Sequence, residues 1–316
     1  MTLTKSFVLA TLMAANLFSA CVLVQSNVAL SGVPEEFVGR QQYVGQNEKK
    51  VLNSGGLITS CIAFTGSEGL GGGLRANFDL TQLLRLDTGA GGRFDGNAFW
   101  GSRSTVGISD PFGEINLGRM NSPLFFSPTN GDTFELGNVG VVFLHTFSGG
   151  QPITSPGATT DSEVNNSVIH SSPTIAGFRT TLRYGLAETS PSKSRFGYSF
   201  DYTIGDLNVG ISGDQIKAAR PTGETNQKAL SGGTAYVFKG VKLFVLVKDD
   251  EQKTLGSDYQ IHHVGVQVPI GLLKIMASFT RTNLDRGTLP DLRRDTPALG
   301  ADYFLSKPTD LDAIAT

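Results

Sequence analysis

Along most of this chain apolar and polar residues alternate one by one, the period of a strand with two unlike faces and not that of a helix. In residues 175–187, Phe178, Thr180, Leu182, Tyr184 and Leu186 share one face, and Arg179, Thr181 and Arg183 share the other. Phe196, Tyr198, Phe200, Tyr202 and Ile204 alternate with Gly197, Ser199, Asp201 and Thr203. Leu207, Val209 and Ile211 alternate with Asn208, Gly210 and Ser212, and Leu273, Ile275, Ala277 and Phe279 with Lys274, Met276, Ser278 and Thr280. A chain patterned in this way builds sheet, and each strand needs a different environment on its two sides.

The pattern predicts fifteen strands, near residues 27–38, 55–66, 72–82, 98–109, 113–120, 166–173, 176–187, 194–204, 206–217, 229–238, 241–250, 258–268, 272–282, 297–305 and 310–316. Two-residue punctuators such as Gly205-Asp206 and Lys239-Gly240 separate some of them. Longer polar connections, such as 218–227 and 284–294, separate others. Short turns at one end and long loops at the other describe an all-β, antiparallel, up-and-down barrel. Alternation alone also fits a soluble sandwich, whose apolar faces turn inward. Two features favour the membrane. Segments of about 10–12 residues suffice to cross a bilayer at a tilt, whereas soluble strands average about 5–6. Aromatics such as Phe178 and Tyr184 also sit near both ends of one apolar face, where interfacial girdles belong. The pattern has two irregularities: Val264, Val266 and Val268 fall out of phase with Tyr259 and Ile261, and Pro34 interrupts the first strand.

Composition narrows the function classes. Charged residues are 17% of the chain, below the usual quarter, and the net charge is −2. Without a basic excess there is no nucleic-acid footprint. Two cysteines, Cys21 and Cys61, cannot staple 316 residues. Past the N-terminus no stretch approaches the 18 apolar residues of a membrane helix. At the N-terminus Lys5 precedes the apolar run from Phe7 to Ala15 and the small residues Ser19 and Ala20. This reads as a secretory signal over residues 1–24, ahead of one barrel domain over 25–316. A single membrane anchor and lipid attachment at Cys21 are the alternatives.

No chemistry-bearing motif survives its context. Gly71-Gly72-Gly73-Leu74-Arg75-Ala76, with Asp95 beyond it, fits a dinucleotide fingerprint, but that motif needs a helix after it. Here Leu74, Ala76, Phe78 and Leu80 alternate with Arg75, Asn77 and Asp79, which predicts a strand. Ser190-Pro191-Ser192-Lys193 fits S-x-x-K without its companion motifs. His262 and His263 are adjacent on a predicted strand, so they point to opposite faces, and His145 and His170 lack ligand-spaced partners. No catalytic residue, metal site or cofactor is expected.

What remains is a channel. Residues 121–165, rich in Gly, Pro, Ser, Thr and Phe, form a connection far longer than ordinary loops, which predicts a functional loop. Phe125, Phe126, Phe134, Phe143 and Phe147 within it are expected to pack inside the lumen and not in water. Arg75, Arg179 and Arg183 share the predicted lumen face, Arg119 leads into the long loop, and Asp132 and Glu135 lie within it. Acids and bases opposed across a narrow pore set a charge preference.

Several segments resemble the Gram-negative trimeric porins, most closely their beta-proteobacterial branch. Gln25-Ser26-Asn27-Val28-Ala29-Leu30-Ser31-Gly32-Val33 is similar to that family's mature N-terminus. Phe64-Thr65-Gly66-Ser67-Glu68-Gly69-Leu70-Gly71-Gly72-Gly73-Leu74 resembles its signature G-F-x-G-x-E-D-L-G-x-G-L. Val106-Gly107-Ile108, Phe112-Gly113, Leu117-Gly118-Arg119, Asn165-Asn166-Ser167-Val168 and Ala301-Asp302-Tyr303 extend the likeness toward the C-terminus. The resemblance implies a 16-stranded barrel, a third loop folded into the lumen, and passive diffusion of small hydrophilic solutes and ions. It also implies a homotrimer seated among outer-membrane lipid and lipopolysaccharide. Cys61, Ser102 and Glu163 stand where the family has arginines on one wall of the constriction, so weaker anion preference is expected. Arg103 is ambiguous: alternation with Val106 and Ile108 puts it in the lumen, the family pattern outside. The chain ends at Thr316 without the family's closing strand and terminal Phe, which predicts fifteen strands, parallel edges and poor membrane assembly. A non-conducting barrel serving as adhesin or scaffold, and an exported all-β lipoprotein, are the alternative readings; detergent dependence and conductance separate them.

Overall fold

The computed structural model describes residues 27–42, 47–126, 130–135, 137, 163–186, 192–220, 223–252, 256–287 and 289–316. The signal segment expected over residues 1–24 lies outside them. Among the described residues there are eighteen strands: β1 (Asn27–Val33), β2 (Glu36–Gln41), β3 (Lys49–Ser54), β4 (Cys61–Gly71), β5 (Leu74–Arg85), β6 (Ala90–Gly91), β7 (Arg103–Asp110), β8 (Gly113–Asn121), β9 (Glu163–Ser171), β10 (Phe178–Gly185), β11 (Ser192–Ile204), β12 (Leu207–Arg220), β13 (Gly223–Phe238), β14 (Val241–Gln252), β15 (Ser257–Ile270), β16 (Leu273–Arg286), β17 (Leu289–Phe304) and β18 (Asp310–Ala315). One helical turn, α1 (Pro123–Phe126), follows β8.

The main sheet runs β1-β4-β5-β7-β8-β9 and on in chain order to β18, with β6 as a side branch on β5 and β2-β3 as a separate hairpin. Every pairing is antiparallel, as an up-and-down order requires. The path itself counts the fifteen strands that alternation predicts. Some boundaries differ. Residues 55–60 form a connection and not the start of a strand, and Pro34, unable to donate to a ladder, divides β1 from β2. The polar segments 218–227 and 284–294 are mostly strand: β12 and β13 pair out to Arg220 and Gly223, and β16 and β17 out to Arg286 and Leu289. Polarity marks where those hairpins leave the apolar zone, not where pairing stops.

Between β4 and β5 the chain reverses at Gly71, Gly72 and Gly73, with φ of 90°, 61° and 88°. Three successive left-handed residues suit glycine alone, so the run that mimics a nucleotide fingerprint is a turn between strands.

Burial is inverted relative to a water-soluble protein. Leu243, Val245 and Val247 of β14 point out and are exposed, while Lys248 and Asp250 on the other face are buried. Val106 and Ile108, Phe178 and Leu182, and Phe196 and Phe200 are likewise exposed. The fully buried side chains include Arg183, His263, Gln227 and Thr280. In water each outward Leu or Phe would forfeit about 1.5–3 kcal/mol of transfer free energy, so this surface belongs in hydrocarbon. The phase break in β15 has the same cause. Val264 faces out, while Tyr259 and Ile261 face in and pack on Leu246.

Candidate functional site: the lumen and its inner loop

The inner faces of β1, β4, β5 and β7–β11 enclose a cavity of about 820 Å³. Most residues on its wall are Asn, Ser, Thr or charged, with Ala29, Phe78, Met120 and Ile169 among them. Asp79, Arg103, Glu114, Arg179 and Asp201 carry its charges, among Asn27, Asn77, Asn116 and Asn121. Arg103 reaches Asp79 at 3.0 Å and donates to Asn121 Oδ1 at 3.3 Å. Asn77 donates to Glu114 Oε1 at 3.0 Å, and Ser199 to Asp201 Oδ2 at 3.0 Å. Arg179 stands directly opposite Asp201 in the β10–β11 register.

The long connection after β8 turns inward. Leu124 of α1 is wholly buried, and α1 packs against β10, β11, β12 and β13. Gly131 lies so close to the wall that a Cβ there would stand 2.9 Å from Gly233 Cα. Thr133 meets His263, and Phe134 sits with Met276 and Ala298, joined by Leu57 and Ile314. Leu57 lies just ahead of β4, near one end of the sheet order, and Ile314 lies in β18, at the other. The sheet therefore curls round far enough for both to pack against one cluster. The aromatic burial expected of this segment is met by Phe134, 1% exposed, and in part by half-buried Phe125. The Phe126 side chain, Phe143 and Phe147 lie outside the described residues.

The structure distributes the predicted site residues over several environments. Arg103 and Arg179 line the cavity, so alternation places Arg103 where the family pattern does not. Arg75 is on the same inner face near the β4–β5 turn and donates to Ser67 Oγ at 3.1 and 2.9 Å. Arg183 is fully buried against Asp214 at 2.7 Å. Arg119 donates to Gly101 O at 2.9 Å and Asn165 Oδ1 at 2.6 Å, and lies 3.9 Å from Glu163. Glu163 is buried and accepts two bonds from Arg93, at 2.9 and 2.7 Å. Asp132 is buried in the loop, where its Oδ1 accepts the Phe134 N–H at 3.0 Å. Glu135, at φ 55°, accepts from Gln267 at 3.2 Å and lies 3.9 Å from Lys274.

Asp79, Glu114, Asp201 and Arg93 are not among the site residues expected from the sequence, and His263 is weighed there only as a metal ligand. Parity does signal Asp79 and Asp201, which alternate with outward apolar residues. No local pattern signals that Arg93 reaches Glu163 or that His263 reaches the loop, because those partners come from distant segments.

A sheet that is apolar outside, polar and charged within, and occupied by its own loop defines a channel through a membrane. Comparison with known proteins agrees. The family model for Gram-negative porins matches residues 9–316, and the chain belongs to that family. It is an outer-membrane porin. Outer membrane porin protein 32 of Delftia acidovorans is 27% identical over 264 residues, covering 80% of this chain and 73% of that protein. Major outer membrane protein P.IB of Neisseria lactamica is 28% identical over 324 residues, covering 94% and 90%. Among solved structures, the anion-selective porin from Comamonas acidovorans superposes with a TM-score of 0.77 at 25% identity, covering 91% of this chain and 87% of that one. The trimer form of OmpT from Vibrio cholerae has a TM-score of 0.69 at 13% identity, over 92% and 87%, a likeness of fold.

Proposed function

We propose that this porin passes small hydrophilic solutes and ions with a weaker anion preference than its anion-selective relative, and with mild preference for cations. The cavity wall supports this reading: three acids, Asp79, Glu114 and Asp201, face two bases, Arg103 and Arg179. Among the described residues the partner of Glu114 is an amide, not a cation. Glu163, in place of a family arginine, also engages Arg93 and lies near Arg119. Fixed charges on a narrow wall set which ion enters more readily. Arg75, Arg103, Arg119, Asp132, Glu135, Glu163, Arg179 and Arg183 make up the proposed charged wall, the last as a buried support. The inner loop sets the size limit. The chain works as a homotrimer among outer-membrane lipid and lipopolysaccharide, after export on its N-terminal segment, and has no catalytic role. Reversal potentials in a salt gradient test the charge reading. A small cation-directed potential is expected, and strong anion selectivity overturns it.

A further inference from the structure

The apolar belt on the outside of β14–β17 ends along one line. Val245, Val264, Phe279 and Pro297 stand opposite one another across the four strands and are all exposed. The next outward-facing row toward the long-loop end is Val247, His262, Arg281 and Asp295, and the row beyond is Asp249, Gln260, Asn283 and Arg293. Rows on one face lie about 7 Å apart along the strands, so charge begins within one row of hydrocarbon. This end also carries the β8–β9 connection, and long connections mark the outer side of such barrels.

Asp295 holds two guanidiniums at that border. Arg281 donates to it through Nε at 2.8 Å and Nη2 at 3.2 Å, and Arg293 through Nη2 at 2.6 Å and Nε at 3.3 Å. The Arg281 guanidinium carbon lies 5.7 Å from the centre of the Phe279 ring, which seats it on the last apolar row. One carboxylate against two cations leaves net positive charge. Nη1 of each arginine has no protein partner among the described residues, and the Arg281 and Arg293 side chains are 39% and 56% exposed. Two planar forks fixed beside each other suit a phosphate, whose oxygens accept several N–H groups at once. Farther from the hydrocarbon, one row beyond Asp249, Asp258 and Asp285 stand directly opposite each other and repel an anion arriving from solution. A lipid phosphate meets no such barrier, because it approaches sideways at the hydrocarbon border. Gln260 and Asn283, in the Arg293 row, offer amides to sugar hydroxyls.

We infer that Arg281 and Arg293, positioned by Asp295, form a docking site for a phosphorylated sugar of lipopolysaccharide on the outer face of the barrel. The inference rests on the lipid setting proposed above and is independent of the pore's charge preference, since these side chains face the bilayer and not the lumen.

Titration of the full chain in detergent tests this, with bisphosphorylated lipid A, its dephosphorylated form and phosphatidylglycerol as probes and inorganic phosphate as competitor. Wild type is expected to bind bisphosphorylated lipid A roughly tenfold more tightly than the dephosphorylated form. The double variant Arg281→Gln/Arg293→Gln is expected to lose that difference while keeping its affinity for the dephosphorylated lipid. Phosphatidylglycerol is expected to bind more weakly than lipid A, and inorganic phosphate not to displace it. Equal affinity of wild type and double variant for bisphosphorylated lipid A overturns the site. Phosphatidylglycerol binding as tightly as lipid A, or displacement by inorganic phosphate, overturns the choice of lipopolysaccharide. Single-channel conductance and reversal potential of the double variant are expected to match wild type, so a failure of this site is distinguishable from a failure of the channel reading. Should the double variant not assemble, Arg293→Gln, at the more exposed of the two positions, decides by the same comparison.

Discussion

Arg183 Nη2 and Asp214 Oδ2 lie 2.7 Å apart on the inner wall with both side chains out of water, although a whole strand separates β10 from β12. The intervening register position is Gly197, opposite both Arg183 and Asp214. A Cβ there would stand 2.8 Å from Arg183 Nη2, so the arginine crosses only because nothing blocks it. Arg195 adds a second cation to the same carboxylate at 2.9 Å.

This geometry predicts an asymmetry in stability. Breaking a buried ion pair from one side costs about 3–5 kcal/mol because the remaining charge is stranded. Asp214→Asn removes the carboxylate that Arg183 and Arg195 share, whereas Arg183→Met leaves Arg195 on Asp214. Denaturant unfolding in detergent is expected to show the larger loss for Asp214→Asn. Equal losses would mean that Arg195 is not part of the network.

Loop size gives a second expectation. Deleting residues 127–150 removes the segment fastened to the wall and should raise single-channel conductance several-fold. An unchanged value would show that the loop does not limit the pore.

Two single substitutions should move ion preference in opposite directions. Glu114→Gln removes an acid whose partner is an amide, and is expected to shift the reversal potential toward anions. Arg103→Gln frees Asp79 from its 3.0 Å partner and is expected to shift it toward cations. Shifts of the same sign would separate selectivity from this wall.

Gly265→Ala tests the seating of the loop without touching a charge. The new methyl would collide with the Thr133 side chain and lie 3.0 Å from Ala277 O. Altered conductance in a normally assembled protein is expected. Conductance like wild type would place the loop elsewhere in the membrane.

The outer face offers a test of the inverted burial. Val245→Arg would put a charge into hydrocarbon at an outward position of β14, at a cost of about 2–4 kcal/mol near mid-membrane. Heat-modifiable assembly is expected to fall sharply. Normal assembly would place this face in water.

The fold was legible because strand alternation is a local property written by residue parity. Arg179, Thr181 and Arg183 could be assigned to one face without knowing any partner. Alternation could not say whether that face met water, lumen or protein, since a sandwich and a barrel share it. It also could not find where pairing ended, because β12 and β13 stay hydrogen-bonded through polar sequence.

The chain's own sequence thus determined strands, turns and which residues share a side, since each depends on near neighbours along the backbone. Tertiary structure alone decided what each inward residue does. Arg103 and Arg179 line the cavity, while Arg183, in the same phase, lies wholly under the protein surface. Thr133 meets His263 across 130 positions of sequence, and Arg93 meets Glu163 across 70. Such encounters are set by the curl of the sheet and the path of the inner loop, and side-chain charge or parity carries no record of either.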